Sequence, residues 1–153
     1  MGYNFYRQDV GGKNMTVQTI TVLRKSLDSP DRVKDFSNGK AEIVNLEDVT
    51  IGRLSLRPGW KWSLDVKPLA KTESCQELHI LYVITGRLMV RMDDGTEIAL
   101  HPGDSAAIPP GHDAWVLGDE PVVAVDFGGM KEYSKQAEPA IPDPETGILY
   151  ETD

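Results

Sequence analysis

The sequence has only one cysteine, Cys75, so an internal disulfide is excluded and a reducing compartment is the expected environment. Basic residues are also scarce: 16 Lys and Arg stand against 24 Asp and Glu, a formal net charge of −8. That charge argues against a nucleic-acid partner and against docking on an anionic membrane surface, both of which need a basic patch. No apolar run approaches the roughly 20 residues of a spanning helix, and residues 1–15 lack the apolar core of a signal peptide. We therefore expect a cytoplasmic protein with no membrane partner.

Long helical patterns are almost absent, whereas turn-forming residues are abundant, with 14 glycines and 10 prolines. Turn signals alternate with short β-branched and apolar runs, a pattern typical of an all-β sandwich or small barrel. Such a barrel holds core side chains or one small ligand. We expect one barrel domain over residues 17–129, preceded by a segment over 1–16 and followed by an acidic, proline-containing tail over 130–153.

The stretch LHPGDSAAIPPGHDAW, residues 100–115, is the most strongly constrained part of the chain. A turn at 102–104 precedes a short apolar strand at 105–108, and a second turn at 109–111 follows at once. Because this strand is held between two turns, its length and register have little freedom. His112 comes directly after the second turn, where sites are often found.

The run SCQELHILYVIT, residues 74–85, predicts one long strand. Cys75, Glu77 and His79 would share one face, and the other face is almost wholly apolar. The apolar face predicts cover by another sheet or by a second subunit, so we expect a homodimer.

Three other segments are assigned from local signals. Residues 18–23 predict a strand, and residues 29–36 predict a turn or a brief helix. Pro68 excludes an uninterrupted central strand in WKWSLDVKPLAK, residues 60–71, which we interpret as a short strand followed by a loop.

These motifs resemble the cupin superfamily, a jelly-roll barrel of two packed sheets. The second cupin motif, a glycine, five residues and then Pro-x-Gly, matches Gly103 and Pro109–Gly111, and the end of the first motif matches YVITG at 82–86. The resemblance covers roughly residues 41–127 and implies a cupin-type jelly roll. The segments PGWKW, TESCQELH and PPGHDAWVLGDEP look like those of small bacterial single-domain cupins of unassigned function.

The usual cupin metal ligands do not carry over to this chain. The family's glutamate position falls at His79, its two first-motif histidine positions fall at Glu73 and Cys75, and its last histidine position falls at Ala114. A different set is available, His79 and His112 with Cys75 or Glu77, for a divalent ion such as zinc, nickel, iron or manganese. Fully extended, Cys75 and His79 would lie about 13 Å apart, which disfavours a shared ion unless the strand begins near Leu78. Equally, His79 can be a hydrogen-bonded interior histidine and Cys75 a small buried hydrophobe.

Aromatic residues suggest a ligand site, with Trp60 as one candidate for the cavity mouth. A carboxylate beside His112, at Asp113, can orient the imidazole ring or point away from it. No serine or cysteine has a base and an orienting group that the sequence identifies. The predicted ligand contacts are Trp62, Gln76, Tyr82 and Trp115, although the aromatic ones can equally be core or interface residues.

Three functions remain open at this point. The first is a small-molecule-binding cupin with a metal site inside the barrel. The second is a metal-dependent enzyme, such as a dioxygenase or isomerase of small organic substrates, and the third is a metal-free structural or sensor domain. Fold alone does not choose among them.

Overall fold

The computed structural model describes residues 21–130, so residues 1–20 and 131–153, including the predicted N-terminal segment and nearly all of the acidic tail, lie outside the described residues. The described chain forms nine strands and two helices of one turn each. In chain order they are β1 Arg32–Phe36, β2 Gly39–Leu46, β3 Val49–Leu56, α1 Trp62–Asp65, α2 Lys67–Ala70, β4 His79–Thr85, β5 Arg87–Met92, β6 Glu97–Leu100, β7 Ser105–Ile108, β8 His112–Leu117 and β9 Val122–Asp126.

The strands form two antiparallel sheets, a six-stranded sheet in the order β1-β2-β3-β9-β4-β7 and a three-stranded sheet in the order β6-β5-β8. One continuous apolar cluster draws side chains from both sheets and from α1. Burial of this cluster is the main stabilising contribution, as in other two-sheet folds. The expected all-β jelly roll is confirmed. The buried members of the cluster are Leu56, Trp60, Trp62, Val66, Cys75, Leu81, Val83, Leu88, Val90, Leu100, Ile108, Ala114, Val116, Val122 and Ala124.

Strand β4 shows the alternation that places functional side chains inside the barrel. His79, Leu81 and Val83 point inward and are buried, whereas Ile80 and Tyr82 point outward and are exposed. The strand is shorter than the predicted 74–85, because residues 74–78 do not pair in a sheet apart from one bridge at Cys75. Within residues 21–130 the apolar outer face is not covered by a second sheet.

The segment after Pro58 differs from the prediction of a short strand and a loop. It forms α1 and α2, and the Asp65 carboxylate accepts the backbone N–H of Lys61 and the side-chain amide of Asn38. Pro68 excludes a central strand but is compatible with the first turn of α2, where its missing N–H has no helical partner to lose. These two turns of helix hold Trp62 in the core.

Two further predictions differ from the structure. Residues 32–36 form strand β1 rather than a brief helix, because they pair with β2 along their whole length. Residues 21–23 carry no regular secondary structure, and residues 18–20 of that predicted strand lie outside the described range. None of the helices found between residues 21 and 130 is long and apolar enough to span a membrane.

Gly86, between β4 and β5, is a position where the close packing of the fold can be tested by adding a Cβ. Its φ is +73°, and a Cβ there would lie 2.4 Å from the carbonyl oxygen of Pro121. We expect Gly86→Ala to lower the free energy of unfolding by more than about 3 kcal/mol, since strain and a backbone clash add. The matched control is Gly95→Ala, because Gly95 has φ +90° with open space around a Cβ, and we expect it to cost about 1 kcal/mol. Equal losses for the two variants in urea denaturation would contradict the steric explanation.

Candidate metal centre

An antiparallel backbone bridge places Cys75 beside His112. The carbonyl of Cys75 accepts the N–H of Gly111 at 2.7 Å, and its own N–H donates to the carbonyl of His112 at 2.8 Å. Gly111 has φ +90°, the left-handed conformation that lets the chain turn here. The constrained stretch around Pro109 therefore holds two groups in place: the imidazole of His112, and the segment that carries the thiol of Cys75.

His79 completes a compact group with these two residues. Its Nε2 lies 3.5 Å from the Sγ of Cys75, and the ligand atoms of Cys75, His79 and His112 all lie within 4.8 Å of one another. All three residues are buried, and the two imidazole rings meet nearly edge to face with centroids 5.4 Å apart. The late start of β4 at His79 makes this approach possible, since a fully extended segment would separate the two residues by about 13 Å.

The Nδ1 atom of each histidine is engaged by a hydrogen bond directed away from the thiol. His79 Nδ1 lies 2.5 Å from Oδ2 of Asp126, and His112 Nδ1 donates to the carbonyl oxygen of Pro109 at 2.7 Å. A hydrogen bond at one ring nitrogen fixes the tautomer and the orientation of the ring, as it does for metal-bound histidines. Both rings are thereby left with Nε2 as the nitrogen for a ligand.

Asp126 is the functional residue that the sequence did not reveal. It is 0% exposed, and its Oδ1 accepts backbone N–H groups from Ile80, Gly128 and Gly129. A Cβ at position 129 would lie 2.5 Å from His79 Nδ1, so a glycine is needed there for the ring to fit. An aspartate at the end of an apolar strand, followed after one residue by Gly128-Gly129, is the local signal that marks such a site.

The electrostatics of the group favour a thiolate. Burial alone would raise the pKa of Cys75, but its interactions with His112 and His79 outweigh burial and lower the pKa to about 6. Burial alone would lower the pKa of His79, but Asp126 and Cys75 raise it to about 10. The thiolate is the form that binds metals and acts as a nucleophile. Cys75, His79 and Asp126 thus supply a thiolate, an imidazolium and an orienting carboxylate, an arrangement that the sequence did not identify.

A cavity of about 60 Å³ lies inside the barrel against this group. His79 and His112 form part of its wall, and Trp60 and Trp62 form another part. Within residues 21–130 the buried indole Nε1 atoms of both tryptophans have no hydrogen-bond partner. A buried donor without a partner costs about 1 to 3 kcal/mol. Most of the remaining wall is apolar, including Leu54, Leu56, Leu81, Leu88, Ile108 and Met130.

The four predicted ligand contacts lie in different places. Trp62 lines the inner cavity and also a pocket at the surface, which Cys75 and Gln76 line as well. Tyr82 does not line the cavity, because it projects from the outer face of β4 and is 44% exposed. Trp115 also lies away from the cavity wall, with the ammonium of Lys61 4.9 Å from its ring centroid.

The carboxylate next to His112 in sequence does not orient that ring. Asp113 accepts the backbone N–H of Ser63 and that of Ala114. His101 lies in an exposed turn beside Asp104. Glu77 lines the surface pocket and does not belong to the compact group found in the described residues.

Comparison with known proteins supports the fold. Residues 72–128, which include Cys75, His79, His112 and Asp126, match the family model of the cupin domain. No curated protein sequence matches the chain. A structural-genomics protein of unknown function from Rhizobium leguminosarum bv. viciae superposes with a TM-score of 0.51 and 20% identity, over 72% of this chain and 98% of its own. A sugar phosphate isomerase of the cupin superfamily from Silicibacter pomeroyi superposes with a TM-score of 0.50 and 23% identity, over 70% of this chain and 75% of its own.

The ionisation of Cys75 tests the electrostatics. In protein freed of metal, we expect the ultraviolet absorbance of the thiolate to titrate with a midpoint near pH 6, below the ordinary value of 9.0. Asp126→Asn should move the midpoint upward, because it lowers the pKa of His79 and so removes a cation beside the sulfur. Asp113→Asn is the control, since that carboxylate does not contact His79, and it should leave the midpoint unchanged. A wild-type midpoint near 9.0 would contradict the assignment.

Proposed function

We propose that this chain, whose residues 72–128 match the cupin-domain model, is a small cupin that binds one divalent transition metal through Cys75, His79 and His112, beside a cavity for a small molecule. The observation that carries the proposal is the clustering of the three ligand atoms within 4.8 Å. Ligand atoms at about 2.0 to 2.3 Å from a tetrahedral ion lie roughly 3.5 Å apart, so only small side-chain movements are needed. The 3.5 Å between Cys75 Sγ and His79 Nε2 already matches.

The chemistry of the donor set fits a metal and favours particular ions. One thiolate and two imidazoles suit zinc or nickel better than iron or manganese, which prefer oxygen ligands. The hydrogen bond that His79 Nδ1 donates to Asp126 is of the carboxylate–histidine type that supports zinc sites. Three protein ligands leave one position of a tetrahedral ion for water or a ligand, which is the arrangement of reactive rather than structural zinc. A metal bound there would act as a Lewis acid toward a molecule in the cavity.

The cavity supports a small, mostly apolar ligand. Its volume of about 60 Å³ and its many aliphatic side chains do not suit a sugar phosphate, which is larger and strongly polar. The isomerase activity of the Silicibacter pomeroyi protein is therefore not a good guide to the reaction of this chain, and the present geometry favours binding over that activity. A metal-dependent reaction on a smaller substrate remains compatible with the three-ligand centre.

We propose the cytoplasm as the location, since the centre requires a reduced thiol. Cys75 is the single cysteine, and reducing compartments keep such thiols free.

Metal binding has a direct spectroscopic test. We expect metal-free protein to bind a single equivalent of Co²⁺ and to develop the sulfur-to-cobalt charge-transfer absorbance of a thiolate ligand. Cys75→Ala should abolish this band, and Asp126→Asn should weaken metal binding about 10- to 100-fold by releasing the ring of His79.

The matched control is His101→Ala, which removes an exposed histidine outside the centre. We expect it to bind cobalt like the wild type. Substoichiometric binding by folded wild-type protein, or a band that persists in Cys75→Ala, would rule out the proposed centre.

We also propose that the chain forms a homodimer through the outer face of β4. Leu78, Ile80, Tyr82 and Ile84 project from this face, and each is 44 to 49% exposed. Two copies that each carry a net charge of −8 repel one another, so an uncharged face is where they approach at the least electrostatic cost. A twofold axis through such a face lets one patch bind its own copy.

Light scattering at micromolar concentration tests the dimer. We expect a dimer for the wild type and a monomer for Ile80→Glu/Ile84→Glu, since burying those carboxylates is costly. Ile98→Glu, at a residue 59% exposed on strand β6 of the smaller sheet, is the control and should remain dimeric. A monomeric wild type would end this proposal.

A further inference from the structure

Cys75 differs from the two histidines of the centre in the way it is held. Each imidazole has its own anchor, at Asp126 or at the Pro109 carbonyl. Residues 71–78, which carry the thiol, belong to no helix or strand apart from the backbone bridge at Cys75. A single bridge leaves the chain free to pivot about it, whereas a metal ligand must be held within about 0.5 Å of its working position. The segment therefore needs a further anchor.

Ser74, the residue before the thiol, provides such an anchor. It is only 7% exposed, and its Oγ donates to Oδ2 of Asp93 at 2.9 Å. Asp93 lies in the turn between β5 and β6, 19 residues further along the chain. An ionised carboxylate only accepts hydrogen bonds, so the direction of the Ser74 hydroxyl is fixed.

Asp93 also contacts the turn that leads into His112. Its backbone N–H donates to the carbonyl of Gly111 at 2.9 Å. A Cβ added at Gly111 would lie 2.9 Å from the same Oδ2 atom that binds Ser74, so the carboxylate packs directly against this turn. One residue of the hairpin is thereby tied both to the segment that carries Cys75 and to the turn that carries His112.

Two further polar side chains bind Ser74. The amide of Gln76 donates to Ser74 Oγ at 3.0 Å, and the hydroxyl of Thr72 donates to the Ser74 carbonyl at 2.8 Å. The Ser74 hydroxyl thus accepts one hydrogen bond and donates one, which makes Gln76, Ser74 and Asp93 a single directed series. Within the described part of the chain, none of them belongs to the compact group of ligand atoms. Their effect on the centre therefore passes through the position of Cys75.

We propose that Ser74 and Asp93 are positioning residues, which hold the Cys75 sulfur against the two imidazoles. The inference rests on the proposed function and deepens it, because it extends the centre from its ligands to the hairpin between β5 and β6. Without the Ser74–Asp93 bond the segment pivots about its bridge, and the sulfur leaves its place 3.5 Å from His79 Nε2. The expected cost is that of losing a supporting hydrogen bond, about tenfold in metal affinity.

Cobalt binding by the full chain tests the role of this bond. In metal-free protein titrated with Co²⁺, we expect Ser74→Ala and Asp93→Ala each to weaken binding about tenfold and to reduce the sulfur-to-cobalt absorbance per bound ion. Ser74→Thr keeps the hydroxyl, so it should restore most of both quantities. The double variant Ser74→Ala/Asp93→Ala should lose little more than either single variant, because both changes remove the same bond.

Asp94→Ala is the matched control within the same hairpin. The carboxylate of Asp94 accepts the backbone N–H of Thr96, inside the hairpin itself, so its loss should leave the cobalt spectrum unchanged. Because Asp93 is exposed, water hydrates its carboxylate once the hydroxyl is removed, and Ser74→Ala is expected to fold. Asp93→Ala, at an exposed position, gives the same answer from the other partner. Wild-type affinity and absorbance in the folded variants, or an equal change in Asp94→Ala, would overturn the inference.

A measurement on metal-free protein separates failure of the metal proposal from failure of this one. The coupling between Hα and Hβ of Cys75 in NMR spectra reports the χ1 rotamer of the thiol. We expect one rotamer in the wild type and averaging in Ser74→Ala, since a sulfur without its imidazole contacts samples other rotamers. Wild-type protein that binds no cobalt but shows this difference would end the metal centre and retain the positioning role. Cobalt-binding protein with the same coupling and affinity in both forms would do the reverse.

Discussion

The arrangement of the candidate centre depends on one buried contact, between Asp126 Oδ2 and His79 Nδ1. Three backbone N–H groups satisfy the other oxygen of the carboxylate, so a fully buried charge is tolerated inside the barrel. The contact sets the direction of the His79 ring, and that direction brings Nε2 to the sulfur of Cys75. Without the carboxylate, the histidine would have neither a fixed tautomer nor its raised pKa.

The rest of the barrel supports this contact from two sides. Antiparallel pairing of β4 with β9 sets Leu81 opposite Asp126 and so brings the strand end that carries His79 alongside the carboxylate. The turn at Pro109–Gly111 brings His112 and Cys75 together from the other side. The centre is thus built from backbone pairing in both sheets, which explains how a thiolate and two imidazoles can be positioned without the ligand pattern that is usual for the fold.

The fold was predictable because it depends on local signals. Gly103 and Pro109–Gly111 have a spacing that admits one strand between two turns, and β7 occupies that interval. Cys75 was expected to join the site only if the strand began near Leu78, whereas the grouping of His79 with His112 was predicted from the sequence. Asp126 was not, because its partner lies 47 residues away in sequence and register between distant strands cannot be read from one chain. The helical turns at Trp62–Ala70 were missed because Pro68 was judged against a strand alone.

The 47-residue separation of His79 and Asp126 also bears on the order of events during folding. Contacts between distant segments form only after loop closure has been overcome, so pairing of β4 with β9 is a late step compared with closure of the hairpins. A metal ion at the proposed centre would then find the orienting carboxylate in place only after the barrel has closed. Bound metal would then act chiefly by slowing the opening of the finished domain.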